Sequence, residues 1–245
     1  MQQTPHALVE AVGVRKRFGA LTVIDGVDFV VHEGGAVGIV GPNGAGKTTL
    51  LNVISGALRA DAGAVRLGGV DVTRAGAAKR CRLGIGRAHQ IPKPFTGMTV
   101  FENVFVGATA GARRGGQAAC DVSTDALAAC GLIHVANRRA ESLGLLDRKR
   151  LEMARALATA PRLLLLDEIG AGLTDAEAAV LLETIAGVRA RGIAIVWIEH
   201  VVHMLVQAID RLVCMDAGRV LAEGDPATVM SDARVVDAYL GTRIA

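Results

Sequence analysis

The sequence predicts an α/β fold: a core built on a buried parallel sheet, carrying an antiparallel β subdomain and an inserted helical subdomain. Three observations predict it. A glycine-rich stretch, Gly41 to Thr48, stands between an apolar strand-like run (Ala36 to Val40) and a helical pattern. A run of leucines, Leu163 to Leu166, ends in Asp167 and Glu168, as a strand buried on both faces would. Between Met98 and Ala160 strand signals stop, and alanine-rich helical periodicity takes over. We therefore expect a single domain over 1–245, with a core lobe at 1–90 and 161–245 and a helical lobe at 91–160.

With 245 residues the chain is long enough for a sizeable core, and its paucity of aromatic side chains leaves aliphatic packing to stabilise it. A net charge of +3, spread along the chain, gives no basic tract, so no nucleic-acid partner is expected. The stretch Met1 to Glu10 lacks the basic start and apolar core of a leader, and the longest apolar runs are far shorter than a membrane span. Both features point to the cytosolic side. Cys81, Cys120, Cys130 and Cys214 show no paired spacing and read as reduced or buried thiols.

In chain order, Leu8 to Val14 and Val23 to Val31 read as strands joined by a turn at Phe18-Gly19. Phe18, placed in that loop, either stacks on a nucleotide base or plugs the core under the turn. Gly41-Pro42-Asn43-Gly44-Ala45-Gly46-Lys47-Thr48 fits the pattern G-x-x-x-x-G-K-[ST] of a phosphate-binding loop. Its glycines let successive N–H groups, together with the start of the next helix, converge on a phosphate. Lys47 is placed to reach the β- and γ-phosphates and Thr48 to hold Mg²⁺; Thr49 lies beside them at the helix start. Short strands at Ala64 to Leu67 and Val70 to Val72 come next, then Gln90 at the exit of a strand-like segment. In a nucleotide site Gln90 can bind Mg²⁺ or the attacking water.

Arg148 to Ala160 reads as one helix, capped by Asp147 and stopped before Pro161. The leucine strand then delivers its acids to the sheet edge that the glycine-rich loop shares, where open α/β sheets bind ligands. Asp167 is assigned to Mg²⁺, through water, and Glu168 to the attacking water. A helix over about 175–190 leads to a further buried strand, Ile193 to Ile198, which ends in Glu199-His200. His200 is placed to meet a γ-phosphate or to cap the next helix. A hairpin turning at Asp216 to Arg219 precedes a helix capped by Asp225, with Pro226 at its first position.

The order of these motifs resembles the ATP-binding subunit of ABC transporters over essentially the whole chain. RKRLEMARALAT before the acidic strand, AGLT after it, IEH at His200 and the ending VVDAYLG resemble the branched-chain amino acid uptake subfamily. The resemblance implies a P-loop NTPase (RecA-like) core, ATP and Mg²⁺ as ligands, and base stacking by Phe18. It also implies a second ABC ATPase subunit, two membrane permeases and, indirectly, an extracytoplasmic solute-binding protein, with this chain peripheral at the cytoplasmic face of the inner membrane. An exporter motor for lipid or lipopolysaccharide shares the catalytic motifs, and an ABC ATPase acting on translation or nucleic acid is the other alternative.

One departure stands out. The family's LSGGQ-like signature, which completes the partner's ATP site in a head-to-tail dimer, aligns with Leu143-Gly144-Leu145-Leu146-Asp147. Gly144 replaces the serine, Leu146 the close-approach glycine, and Asp147 the glutamine. Asp147 about 4 Å from a phosphate would repel it by up to ~4 kcal/mol, more than the ~1 kcal/mol a helix end supplies. The alternative register, Ser142-Leu143-Gly144, needs two extra residues before the helix. The expectation is a subunit with good P-loop residues and a poor signature, working best as a heterodimer.

Overall fold

The computed structural model describes residues 6–240; the first residues of the stretch 1–10 and Gly241 of the VVDAYLG ending lie outside them. The elements are β1 (Ala7–Phe18), β2 (Leu21–His32), β3 (Ala36–Val40), α1 (Lys47–Ser55), β4 (Ala62–Leu67), β5 (Val70–Asp71), α2 (Ala77–Arg82) and β6 (Ile85–Ala88). The helices α3 (Val100–Val106), α4 (Gly116–Ala129) and α5 (Leu145–Leu157) succeed them, and a π-helical stretch, Gly107–Gly111, continues α3. After these come β7 (Leu163–Asp167), α6 (Asp175–Arg189), β8 (Ala194–Ile198), α7 (Val202–Leu205), β9 (Arg211–Asp216), β10 (Arg219–Gly224), α8 (Pro226–Ser231) and α9 (Ala233–Leu240).

Among the described residues the strands form two sheets. One is four-stranded and antiparallel, in the order β2-β1-β4-β5; the other is six-stranded, in the order β10-β9-β3-β8-β7-β6. In the second, β6, β7, β8, β3 and β9 run parallel, and β10 closes the edge antiparallel to β9. Every residue of β3, β7 and β8 is buried, which is why these strands read as unbroken apolar runs. Their side chains nevertheless alternate between two cores. Leu163, Leu165, Val196 and Ile39 pack with α1 and the antiparallel sheet. Leu164, Leu166 and Trp197 pack with α5 and α6 on the opposite face.

Three sequence expectations are corrected. Phe18 is the last residue of β1 and lies before the turn, not in it. β1 and β2 run longer than alternation suggests, because shifts of register near Val12 and Gly13 break the period-2 pattern without ending the pairing. Helix α5 starts at Leu145 with Gly144 as its N-cap, so Asp147 sits in the first turn and pairs with Arg150 at 3.7 Å instead of capping. Helix α2 has no counterpart in the sequence expectations. It carries Arg80, buried despite its charge, whose guanidinium donates to the Val53 and Ile54 carbonyls at 2.7 Å and so satisfies the C-terminal turn of α1.

Candidate functional site

Because β6, β7, β8, β3 and β9 are parallel, their C-terminal ends share one edge, and the loops that leave the strands meet there. β3 delivers the loop 41–48, β6 delivers Gln90, β7 ends in Asp167 and Glu168, and β8 leads to Glu199 and His200. Val23, Asn43, Gly44, Ala45, Gly46, Lys47, Thr48, Thr49 and Glu168 line a cavity of about 200 Å³. Two loop positions admit only glycine. A Cβ at Gly41 would lie 2.0 Å from the Met215 carbonyl oxygen, and one at Gly46 would lie 2.7 Å from that of Val23, both at positive φ.

Lys47 is buried, and its ammonium donates to the Gly41 and Pro42 carbonyls at 2.7 and 2.9 Å. Burial pushes its pKa below the ordinary lysine value, opposed by the negative charges of Glu168 and Asp167. Thr48 Oγ1 donates to Asp167 Oδ1 at 3.3 Å. The other oxygen of Asp167 accepts from Arg87 Nη2 at 2.8 Å, and the second arm of Arg87 reaches Asn52 Oδ1 and Ser55 Oγ on α1. Arg87 thus ties β6, α1 and β7 together around a buried carboxylate.

Glu168 stands between two partners. Gln90 Nε2 donates to its Oε2, and His200 Nε2 lies 2.9 Å from its Oε1. Since β6 and β8 flank β7 in the sheet, these side chains approach Glu168 from opposite sides. The Glu168 backbone is left-handed, with φ of +48°, while its N–H still bonds the Ile198 carbonyl at 2.9 Å. A non-glycine residue held there costs on the order of 1–2 kcal/mol, tolerated where the surroundings dictate the turn.

Behind this cluster Glu199, 1% exposed, accepts from the Gly170 N–H at 2.9 Å with one oxygen and from the His200 N–H at 3.0 Å with the other. It therefore joins the loop after Glu168 to the loop that presents His200. Burial raises its pKa against the effect of these bonds. Lys149 on α5 is also buried and feels the charges of Glu199 and Glu168.

A phosphate-binding loop, an acidic strand end and a histidine on one edge describe a nucleotide hydrolase, and comparison with known proteins decides which. Residues 24–171 match the ABC transporter family and residues 219–245 the branched-chain amino acid ATP-binding cassette transporter family. The chain is 33% identical to the high-affinity branched-chain amino acid transport ATP-binding protein BraF of Pseudomonas aeruginosa, covering 96% of this chain and 98% of that protein. This chain belongs to the ABC transporter ATP-binding family. Identity is likewise 33% with LivG of Escherichia coli strain K12, over the same shares of the two chains. The crystal structure of the ADP conformation of MJ1267, an ATP-binding cassette of an ABC transporter, superposes with a TM-score of 0.87 at 32% identity, covering 96% of this chain and 99% of that one.

As an ABC subunit the chain hydrolyses ATP, and its expected site residues fall into three groups. The loop 41–49, Asp167, Glu168, Gln90 and His200 are brought together. Phe18 is not among the residues that line the cavity; it is half exposed, with Lys16 Nζ 5.5 Å from its ring centre. Gly144, Leu146 and Asp147, at the start of α5, do not line it either. Ser142 lies in a separate 3₁₀ turn, its hydroxyl donating to the Arg139 carbonyl at 2.8 Å. Sequence reasoning misses Arg87, Asn52, Glu199 and Val23. An arginine or glutamate beside a strand end carries no local signature, and only the IEH tripeptide marks Glu199.

Proposed function

We propose that this chain is the motor of an ABC importer for branched-chain amino acids or related small polar solutes, peripheral at the cytoplasmic face of the membrane. The observation that carries the reading is the convergence of Lys47, Thr48, Asp167, Glu168, Gln90 and His200 on one sheet edge, in a chain similar over nearly its whole length to branched-chain transport ATPases. Among the described residues no helix is long and apolar enough to cross a membrane, so translocation falls to permease partners. A groove of about 470 Å³ between α2, β6, α5 and the π-helical continuation of α3, lined by residues including Ile85, His89, Val106 and Arg155, is the surface we assign to them. Ile91 and Phe95 stand exposed in the segment after Gln90, with Arg155 stacked 4.6 Å from the Phe95 ring centre.

Lys47 and the loop amides hold the phosphates of ATP. Thr48 and Asp167, a hydroxyl and a carboxylate, are hard oxygen donors that suit Mg²⁺, with Gln90 beside them; when bound, Mg²⁺ neutralises phosphate charge. Glu168 takes the proton of the attacking water, and His200 and Gln90 keep its carboxylate aimed. Phe18 is retained as the base-stacking residue, approached by the nucleotide from outside the loop cavity.

The signature half is the weak one. Gly144 abuts α5 directly and offers no side-chain cap, and Leu145 is 43% exposed at the helix start, which supports the register in which Leu146 and Asp147 replace the glycine and glutamine. A second ABC ATPase with an intact signature is therefore the preferred partner, and a solute-binding protein acts on the far side of the membrane. In a host lacking branched-chain uptake, this chain expressed with its neighbouring permeases and ATPase should restore leucine accumulation. The same set carrying Glu168→Gln should not. Equal uptake with and without this chain would sink the reading.

A further inference from the structure

The hydrolysis scheme leaves the VVDAYLG ending without a role, yet its tyrosine reaches the phosphate-binding loop. Val235, 1% exposed, and Tyr239, one turn later on the same face of α9, anchor that helix to the core. The start of α9 is fixed by Asp232 Oδ1, which accepts from the Arg234 N–H at 2.9 Å. The hydroxyl of Tyr239 accepts the Gly41 N–H at 2.7 Å. The carbonyl of the same residue, Gly41, accepts from Lys47 Nζ at 2.7 Å, and the Met215 carbonyl packs where a side chain would stand. Gly41 is thus held from α9 at its nitrogen and from Lys47 at its oxygen. If Lys47 turns to a β- or γ-phosphate, the oxygen loses that donor and the tyrosine bond remains.

We propose that Tyr239 is a positioning residue for nucleotide binding: it fixes the Gly41 peptide while Lys47 exchanges carbonyls for phosphate, and it makes the C-terminal helix sense whether the loop is filled. The half-buried phenol, its pKa pushed up to about 12, stays neutral and serves as a hydrogen-bonding group at working pH. The inference rests on the reading of 41–48 as the nucleotide site.

Tyr239 is the only tyrosine in the chain, so 3-fluorotyrosine labelling yields a single fluorine resonance. In the full-length protein carrying Glu168→Gln, that resonance should shift when MgATP saturates the site. Tyr239→Phe should weaken ATP binding about three- to tenfold, as expected for one net hydrogen bond, with kcat at saturation within about twofold. A resonance unmoved at saturation, or unchanged affinity in Tyr239→Phe, overturns the proposal. Should Tyr239→Phe not fold, the fluorine shift decides alone. Lys47→Ala separates the two readings in the same titration. If it binds ATP as the parent does, the nucleotide site itself is misplaced; if it loses binding while Tyr239→Phe does not, only the role of Tyr239 falls.

Discussion

Arg87 shows how much of this site depends on one long-range contact. Its pair with Asp167 joins a mostly shielded guanidinium, 11% exposed, to a buried carboxylate, so Arg87→Ala leaves that carboxylate without its partner, a change that typically costs about 3–5 kcal/mol. The melting temperature should fall by roughly 10 °C in a chain of this size. Arg87→Ala with Asp167→Asn should recover most of the loss, because the double variant buries no unpaired charge; equal melting of the single and double variants would contradict this. Two thiols set the alkaline limit. Burial raises Cys130 to about 12 and Cys214 to about 11, against an ordinary value of 9.0. Both stay protonated in the folded state, while the unfolded chain ionises them above that ordinary value. The stability they contribute is complete below about pH 9 and is lost as pH rises through 11 to 12, at ~1.4 kcal/mol per pH unit for each thiol. Melting curves between pH 7 and 11 should show that decline, and it should shrink in Cys130→Ala.

At the scale of elements, the features legible in the sequence are those contiguous in the chain. The loop 41–48 and the Asp167-Glu168 pair each carry their chemistry within a few adjacent residues, and the parallel sheet brings them to one edge. The position of Asp147 is ambiguous for a local reason. Acidic residues favour both the cap and the first turn of a helix, and a glycine cap such as Gly144 has no side chain to announce it. The full length of β1 is hidden because its bulges mask the alternation, and Glu199 is inconspicuous because it acts across the gap between two loops. The start of α5 is also where the signature can be tested. Gly144→Ser with Leu146→Gly and Asp147→Gln brings the segment to Leu-Ser-Leu-Gly-Gln, which puts back the serine, the close-approach glycine and the glutamine of the family pattern. This variant should hydrolyse ATP with a specific activity that climbs as its concentration rises, since each copy could then complete the other's site. A flat, unchanged rate would show that these three positions are not what limits activity.

For the whole molecule, the two cores place the nucleotide edge between an antiparallel sheet, a helical layer and the C-terminal pair α8 and α9. One half of an ATP site is assembled there: Lys47 lies in the phosphate loop, and Glu168 is in hydrogen-bond contact with His200 and Gln90. On the proposed reading, the half that would serve an opposite subunit begins with Gly144 and Leu146, at the start of α5. We therefore propose that the chain binds ATP alone and hydrolyses it together with a second subunit. The most direct test is steady-state Mg²⁺-dependent ATPase of the purified chain across a wide range of protein concentration, alongside ATP binding by titration. Tight binding with low, concentration-independent turnover, rising well above the sum of the parts when the neighbouring ATPase is added, is the predicted result. Specific activity that climbs with concentration of this chain alone would mean a working homodimer and would contradict the claim that its signature is the deficient half.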